Sequence, residues 1–451
     1  MSNASTFVIP FDRLRSMVED VLVIARRKGA TSCFSDVSEG TGLSVTVRKG
    51  NVETIEQNRD KSLSVTTYIG QRKGSATTSD FSSSAIEGMV QAALDIARYT
   101  AGDPAAGLPD EDMLERNPRD LALFYPWDID ATAAIEIAKR AEDAAFAVDS
   151  HIRNSEGANL SAQHAQFYMA NSHGFVGGYA YSRHSMLCIP IAQKGNTMQR
   201  DDWYSSDRNP ALLAQPEAIG RYAAQRALSR LNARRLGTRQ CPVLFEAPVA
   251  CGLVGSFVQA TSGTSLYRQS SFLVNSLGRQ VFAPHVSLTE DPHVLGAIGS
   301  APFDDEGVRT QARRVVDNGV VNGWFLSSYS ARKLGMRTTG NAGGSHNLSL
   351  QSSQTRKSDD LEAMLRKLHT GLLVTDLIGQ GINYVTGDYS RGAFGYWVEN
   401  GQIAYPVEEI TIAGNLRDMF MRIAAIGADT IIRGTKSTGS ILIEEMTVAG
   451  A

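Results

Sequence analysis

The sequence has few cysteines and no closely spaced cysteine pair. Its four cysteines are Cys33, Cys188, Cys241 and Cys251. Such wide spacing argues against a disulfide framework and against a zinc ribbon. Isolated cysteines are typical of proteins in a reducing compartment, so we predict a cytoplasmic protein.

An excess of either charge is also absent. Lysine and arginine together number 44, aspartate and glutamate 47, and the formal net charge is -3 with both signs interspersed. Without a field of a single sign, neither a nucleic acid nor an anionic membrane is indicated as a partner. The longest basic cluster, Arg234-Arg235, is typical of solvated helix surface.

Long apolar runs are missing as well. A membrane-spanning helix needs about 18 or more consecutive apolar residues, and the sequence contains no such run. The first residues also lack the apolar stretch that precedes a cleavage site in a signal peptide. We therefore expect a soluble chain with no membrane partner and no targeting segment.

The chain is longer than one ordinary hydrophobic core requires, so its 451 residues predict two or three domains. Apolar residues at helical spacing from Phe11 to Lys28 predict a first helix, and alternating apolar residues from Leu43 to Ile69 predict antiparallel strands. A second helix is predicted over 85–99, capped by Asp80 or by a serine of 82–84. These elements form the predicted N-terminal α/β subdomain, residues 1–100.

Prolines and an acidic run interrupt the periodicity of residues 101–127, which we interpret as a surface linker. Asp128 or Asp130 then caps a third helix, and strand-rich and helical stretches follow up to residue 231. They define a second predicted α+β subdomain, residues 128–237.

Glycine becomes dense after residue 237. Helical periodicity there is confined to 248–260, 360–368 and 416–425. The pairs Asn318-Gly319 and Asn400-Gly401 lie between apolar stretches, as in β-hairpins. The sequence therefore predicts an α+β protein, in which an N-terminal helix and antiparallel-sheet region is followed by a mostly β C-terminal domain, residues 238–451.

Seven ordered segments carry a family resemblance. They are SLYRQSSFL (265–273), PFDDEGVR (302–309), SYSARKLG (328–335), GNAGGSH (340–346), TGDYSRGAFG (386–395), WVENG (397–401) and EITIAGNL (409–416). On these segments the chain resembles the TldD/PmbA metalloprotease family, also called the modulator of DNA gyrase family, and within it the PmbA (TldE) branch. The resemblance implies a cytoplasmic protease subunit that acts on peptides or unfolded proteins.

The resemblance also implies a loss. The zinc-bearing sister carries His-Glu-x-x-x-His on a helix, where two imidazoles hold Zn²⁺ and the carboxylate removes a proton from bound water. This chain has Cys251 at the first histidine position, Gly252 at the glutamate and Ser256 at the second histidine. Thr438 replaces a cysteine that completes the sister's site. We therefore expect no metal in this chain and zinc in its partner, with Cys251 as a small core residue.

Glycine-rich segments suggest where a substrate lies. Segments 340–344 and 387–395 lack the lysine of a phosphate loop and the strand-Gly-x-Gly-x-x-Gly-helix order of a dinucleotide site. Glycine permits close approach of a strand or an extended peptide, which suits main-chain recognition of unfolded peptides. The residues predicted to line the substrate channel are Gly340, Gly343, Gly344, His346, Asp388, Tyr389 and Arg391.

Two other patterns carry possible chemistry. Ser330 and Lys333 match the Ser-x-x-Lys spacing of a serine nucleophile, without the companion motifs. The carboxylates of 304–306 have two interpretations: they contact a peptide amine or assist a partner's site, or they form only an acidic turn closed by Gly307. The histidines show no ligand spacing and are interpreted as surface or satisfied side chains.

Three functional hypotheses result. The leading one is the zinc-lacking subunit of a heteromeric metallopeptidase that pairs with a TldD-like zinc subunit. The alternative is a non-catalytic homodimeric protein that binds peptides or regulates another protein. The third is an independent hydrolase that uses Ser330 and Lys333, or a metal at Cys251. Exposed strand edges and the family's habit of pairing favour a dimer.

Overall fold

The structure is a computed structural model that describes residues 6–450. These residues form two compact units. The N-terminal unit comprises the described residues up to 228 together with 294–310 and 327–342. The C-terminal unit comprises 229–293, 311–326 and the described residues from 343 onward.

The described residues contain helices and strands in a mixed α+β arrangement. The α-helices are α1 Phe11–Arg27, α2 Ser83–Tyr99, α3 Ala131–Phe146, α4 Pro216–Ser229, α5 Ala247–Ala260, α6 Gly263–Tyr267, α7 Ser328–Lys333, α8 Leu361–Leu368 and α9 Leu416–Met421, and short 3-10 helices cover Glu111–Met113 and Pro210–Leu212.

The strands are long in the N-terminal unit and mostly short in the C-terminal unit. They are β1 Ser32–Arg48, β2 Asn51–Ile69, β3 Arg72–Thr78, β4 Ile152–Asn171, β5 Val176–Lys194, β6 Thr197–Arg200, β7 Trp203–Asp207, β8 Arg239–Phe245, β9 Val286–Asp291, β10 Arg313–Asp317, β11 Val320–Val321, β12 Asn347–Ser352, β13 Gly371–Ile378, β14 Ile382–Asn383, β15 Asp388–Glu399, β16 Gln402–Asn415, β17 Ile423–Ile426, β18 Ile431–Arg433, β19 Lys436–Thr438 and β20 Ile441–Ala449.

The helix ends of the N-terminal unit follow from local chemistry. After α1, Gly29 adopts φ +100°, and the N–H of Ala30 returns to the carbonyl of Ala25, as in a Schellman motif. Of the proposed caps, Ser82 accepts a hydrogen bond from the N–H of Ala85 at α2, and Asp130 caps α3 in the same way. The predicted helices are present, and α2 begins at Ser83, two residues before the predicted start.

One antiparallel sheet organises the N-terminal unit. Its order is β3-β2-β1-β4-β5-β6, with β7 also paired to β5. Alternate residues of β1 are buried, and helices α1 and α3 pack on this strand. Amphipathic helices cover one face of the sheet, which explains the alternation of apolar and polar residues predicted from Leu43 to Ile69.

Residues 101–127 form no long helix or strand, yet they are not simply a surface segment. Leu108, Leu114, Leu121 and Leu123 of this stretch are each at most 5% exposed. Prolines prevent regular structure here, while the leucines between them supply apolar side chains that the unit buries. The expectation of a solvated linker overlooked those leucines.

The C-terminal unit contains two sheets, one of which closes on itself. The first has the order β11-β10-β9-β12-β19-β18. In the second, β13-β8-β20-β16-β15-β14, strand β13 also pairs with β15, so five strands form a ring. Both predicted hairpins are present, because Asn318-Gly319 joins β10 to β11 and Asn400-Gly401 joins β15 to β16, all four residues at positive φ. The mostly β character of this region is confirmed.

The predicted helix over 416–425 is shorter than expected. Helix α9 ends at Met421, and residues from Ile423 onward form β17, which pairs with β20. Strand pairing thus overrides the helical spacing of this apolar stretch. Among residues 6–450, no helix has the length and apolar character needed to cross a bilayer.

Candidate functional site

Helix α5 carries three of the four positions at which the sequence analysis predicts a degenerate zinc motif, Cys251, Gly252 and Ser256. Its sequence is nearly all apolar or small, so it is buried along most of its length, with Pro248 in its first turn. It packs against β13 and against the hairpin formed by β18 and β19. Thr438, the fourth position, ends β19.

Cys251 faces the backbone of that hairpin. Its side chain is buried at 4% exposure, and Sγ lies 3.7 Å from the carbonyl oxygen of Lys436 and 4.0 Å from that of Ile431. Burial raises the pKa of the thiol, although the positive charges of Arg433 and Lys436 act in the opposite direction. The thiol is therefore protonated near neutral pH and donates to carbonyl oxygens, which a metal-bound thiolate would not do.

The other three positions offer no metal ligand either. Gly252 is exposed, and a Cβ atom built on it would meet nothing within 4 Å. The hydroxyl of Ser256 donates to the carbonyl of Gly252 at 3.1 Å, and the hydroxyl of Thr438 donates to the carbonyl of Gly439 at 3.1 Å. One protonated thiol and two hydroxyls that already donate to backbone carbonyls do not fit a zinc site. Such a site needs thiolates, imidazoles or carboxylates.

No alternative metal cluster takes its place in the described part of the chain. Within residues 6–450, no three His, Cys, Asp or Glu side chains are grouped so that they could hold a metal ion. Several histidines of this range instead bond to hydroxyl or carbonyl oxygens. His285, for example, contacts the hydroxyl of Ser352 at 2.8 Å and the carbonyl of Ile423 at 2.9 Å.

A buried ion network supports the glycine loop of the C-terminal unit. Glu290, at the end of β9, lies 2.6 Å from Nε of Arg313 and accepts from both the backbone N–H of His346, at 2.8 Å, and its ring Nδ1, at 3.1 Å. Arg313 also donates to the carbonyl of Trp324 at 2.8 Å. The loop from Gly343 to His346 is thereby tied to β9.

The charge of Glu290 depends on these partners. Burial would raise the pKa of its carboxyl group, but the hydrogen bonds from His346 and the positive charge of Arg313 outweigh burial and lower the pKa to about 2. The carboxylate is therefore ionised throughout the physiological range. The sequence analysis did not assign a role to Glu290 or Arg313. The available sign of Glu290 was an acidic residue at a position of β9 where the alternating pattern predicts an apolar one.

The structure distributes the predicted channel residues between the two units. Gly340 belongs to the N-terminal unit, where its φ of +70° and its approach to the carbonyl of Arg309 exclude a side chain, since a Cβ would lie 2.6 Å from that oxygen. Gly343 and Gly344, at φ +92° and +122°, and His346 belong to the C-terminal unit. Positive φ explains the glycines of this loop.

The remaining predicted residues lie on β15. Asp388 is exposed and accepts from the hydroxyl of Thr386 at 2.6 Å and the amide of Asn415 at 3.1 Å, and these bonds lower its pKa. Tyr389 is 2% exposed, and burial raises its pKa to about 12, so it belongs to the core rather than to an open surface. Arg391 reaches the carbonyl of Leu377 at 3.5 Å.

Glycine permits close strand packing at the sheet of the C-terminal unit, as expected. A Cβ on Gly395 would lie 1.9 Å from the carbonyl oxygen of Leu373, across the β13–β15 pair. A Cβ on Gly381 would lie 1.6 Å from the carbonyl oxygen of Ser390. Gly395 therefore serves contact between β13 and β15, and Gly381 allows the segment before β14 to approach β15.

The Ser-x-x-Lys pair is not a catalytic dyad in this geometry. Ser330 forms a capping box with Ser327 at the start of α7 and is buried. Lys333 instead lies 2.8 Å from the carboxylate of Asp103, whose hydrogen bond raises the pKa of the lysine. A protonated lysine cannot act as the base that activates a serine.

The carboxylates of 304–306 form the acidic turn that was one of the two interpretations. Asp304 is buried and accepts from the N–H groups of Glu306, Val308 and Ala342, at 2.9, 2.9 and 3.0 Å. Gly307 closes the turn at φ +79°. Burial, reinforced by the charge of Glu306, raises the pKa of Asp304 to about 7.

Comparison with known proteins identifies the family. Residues 238–450 match the PmbA/TldA metallopeptidase C-terminal domain, residues 124–231 the central domain and residues 36–97 domain 1. Metalloprotease PmbA of Escherichia coli O157:H7 is 47% identical over 92% of this chain and 91% of its own length. The chain belongs to the PmbA/TldD metallopeptidase family. The Metalloprotease PmbA homolog of Haemophilus influenzae is 44% identical over 97% of this chain and 96% of its own.

Solved members of the PmbA/TldD family share the fold. A chain from Bacteroides thetaiotaomicron, named for modulation of DNA gyrase, has a TM-score of 0.91 at 24% identity and covers 98% of this chain and 100% of its own length. TldE from Thermococcus kodakarensis has a TM-score of 0.83 at 19% identity, covering 96% and 100%. The names of the relatives support a subunit of a PmbA/TldD-family protease.

Proposed function

We propose that this chain is the zinc-lacking subunit of a cytoplasmic TldD/PmbA-type metalloprotease and that it works with a TldD-like zinc subunit on peptides or unfolded proteins. The observation that carries the proposal is the donor set on α5 and β19. Cys251 is a protonated thiol directed at carbonyl oxygens, Gly252 has no side chain, and the hydroxyls of Ser256 and Thr438 bond to the backbone. Because these positions offer neither a metal ligand nor a general base, this chain would contribute binding surface and no catalytic group.

The preference for unfolded substrates is supported by the character of the C-terminal unit. Its sheets contain many strands, and the loop of Gly343 and Gly344 is held on a rigid base by the buried Glu290 network. An extended peptide binds such a surface through main-chain hydrogen bonds with little dependence on its side chains. A cytoplasmic location is supported by four cysteines that are all free and buried.

The test is cleavage of an unfolded protein such as reduced casein by this chain alone, by the zinc subunit alone and by their mixture. We expect chelator-sensitive cleavage in the mixture and none by this chain. Gly252→Glu provides a matched variant, because the position has room for a side chain and a glutamate without its histidines still gives no activity alone.

Two results would contradict the proposal. Cleavage by the purified chain alone would make it an independent hydrolase. Failure of the mixture to exceed the zinc subunit alone, together with peptide binding by a homodimer of this chain, would favour the non-catalytic binding protein.

A further inference from the structure

The N-terminal unit contains a polar pocket, and none of its lining residues belongs to α5 or β19. Its volume is about 750 Å³, within the range of small-ligand sites. Tyr68 near the end of β2, Lys73 of β3, the loop 100–107, Glu306 and α7 line it. These lining residues all belong to the N-terminal unit.

Tyr68 contributes a largely buried side chain whose hydroxyl faces the pocket. The side chain is 7% exposed yet lines the pocket, and its hydroxyl makes no hydrogen bond within residues 6–450. Burial, with the nearby negative charge of Glu306, raises the pKa of Tyr68 to about 12. The hydroxyl is therefore neutral and can both donate to a ligand and accept from it.

Glu306 places a carboxylate beside this hydroxyl. Its Oε2 atom accepts from the backbone N–H of Ser328 at 2.8 Å, which fixes the side chain and leaves Oε1 with no hydrogen bond in the described range. No cation forms an ion pair with Glu306 within residues 6–450. The pocket therefore holds an oriented negative charge that a ligand cation can neutralise.

The other charges of the pocket leave one cation available. Asp103 is neutralised within the protein, because it lies 2.8 Å from Nζ of Lys333 and accepts from the hydroxyl of Tyr329 at 2.7 Å. The ammonium of Lys73, by contrast, forms no ion pair in the part of the chain that the structure describes. One pocket thus presents an unpaired carboxylate and an unpaired ammonium.

We propose that this pocket binds a zwitterion, an amino acid or a short peptide, with its α-ammonium group at Glu306 and Tyr68 and its carboxylate at Lys73. Charge complementarity selects this class over ligands of one sign, since a lone anion would face Glu306 and a lone cation would face Lys73. The site does not include the residues on α5. A negative result for this pocket would therefore leave the proposed protease role untouched, and the reverse also holds.

Isothermal titration calorimetry with trialanine at pH 7 tests the site. We expect binding that weakens about tenfold or more when the peptide is N-acetylated, because the charge-assisted hydrogen bonds to Glu306 are lost. C-terminal amidation should weaken binding less, since Lys73 is exposed. Titration with alanine separates a free amino acid from a peptide as the ligand, and tighter binding of either zwitterion supports the proposal.

Variants of the protein locate the binding. Glu306→Gln keeps an oxygen for the N–H of Ser328, so folding is preserved, but it should abolish the discrimination against N-acetyl-trialanine. Tyr68→Phe should weaken binding several-fold, and Glu56→Gln, on the exposed stretch of β2, should leave it unchanged. No binding of trialanine at millimolar concentration, or binding unaffected by acetylation or by Glu306→Gln, would overturn the proposal.

Discussion

The Sγ atom of Cys251 lies 3.7 Å from the carbonyl oxygen of Lys436, at the first position of the predicted degenerate zinc motif. The contact joins α5 to the hairpin of β18 and β19 through a thiol that keeps its proton. This helix position therefore serves packing in this chain.

The four cysteines should be unreactive in the folded protein. Burial raises the pKa of Cys33 to about 11, of Cys188 to about 12 and of Cys241 to about 11, and it also raises that of Cys251. At pH 8 very little thiolate is present, and Ellman's reagent should react slowly with native protein but with all four thiols in guanidinium chloride. A single fast thiol in native protein would contradict the environment described for these residues.

Two glycines of the C-terminal unit should respond oppositely to alanine. Gly252 lies on an exposed helical position with open space around it, so Gly252→Ala should stabilise the protein by about 0.5–1 kcal/mol through helix propensity. Gly395→Ala places a methyl group against the carbonyl of Leu373 and should destabilise by at least about 2 kcal/mol. Urea denaturation measures both, and equal effects would show that strand contact does not require Gly395.

Glu290 should dominate the stability of the glycine loop. Glu290→Gln leaves the partly buried Arg313 without its carboxylate and should lower the free energy of unfolding by about 2–4 kcal/mol at pH 7. Because the folded pKa of about 2 lies below the unfolded value, this stabilisation is complete above about pH 5 and is lost as the pH falls toward 2. Urea denaturation of both proteins at pH 7 and pH 3.5 should show the difference shrinking; a constant difference would exclude the ionised network.

His164 should make the N-terminal unit sensitive to acid. Its Nε2 accepts from the backbone N–H of Trp127 at 2.9 Å, and burial, with the charge of His184, lowers its pKa to about 4. The unfolded chain binds a proton at about pH 6.5, so stability should fall by roughly 2–3 kcal/mol as the pH drops from 6.5 to 4. His164→Gln should flatten this fall in denaturation experiments at pH 7 and pH 4.5; parallel curves would refute the assignment.

Elements with strong local signals were predictable from the sequence. Helix α1 has five buried apolar residues at helical spacing and a glycine after its last turn, and the Asn-Gly hairpins depend on two adjacent residues that tolerate positive φ. The short helices α6 and α7 were not predicted. They contain only 5 and 6 residues and begin at serine caps, Ser262 and Ser327, that resemble ordinary loop serines.

Contacts between distant parts of the chain could not be predicted. Glu290 and His346 are 56 positions apart, and only strand pairing of β9 with β12 brings them together. The return of 294–310 and 327–342 to the N-terminal unit likewise has no local sequence signal. The degenerate zinc positions remain a prediction from the family resemblance, and the hydrogen-bond partners of Cys251, Ser256 and Thr438 could be found only from the structure.

The proposal that this chain lacks zinc is tested most directly by elemental analysis of its zinc content. The chain is purified alone and as a complex with the TldD-like subunit under identical conditions. We expect no stoichiometric zinc in the chain alone, and zinc in the complex that stays with the partner subunit when the two are separated. Stoichiometric zinc in the chain alone that disappears in Cys251→Ala would contradict it, because the thiol would then be a ligand and not a donor to backbone carbonyls.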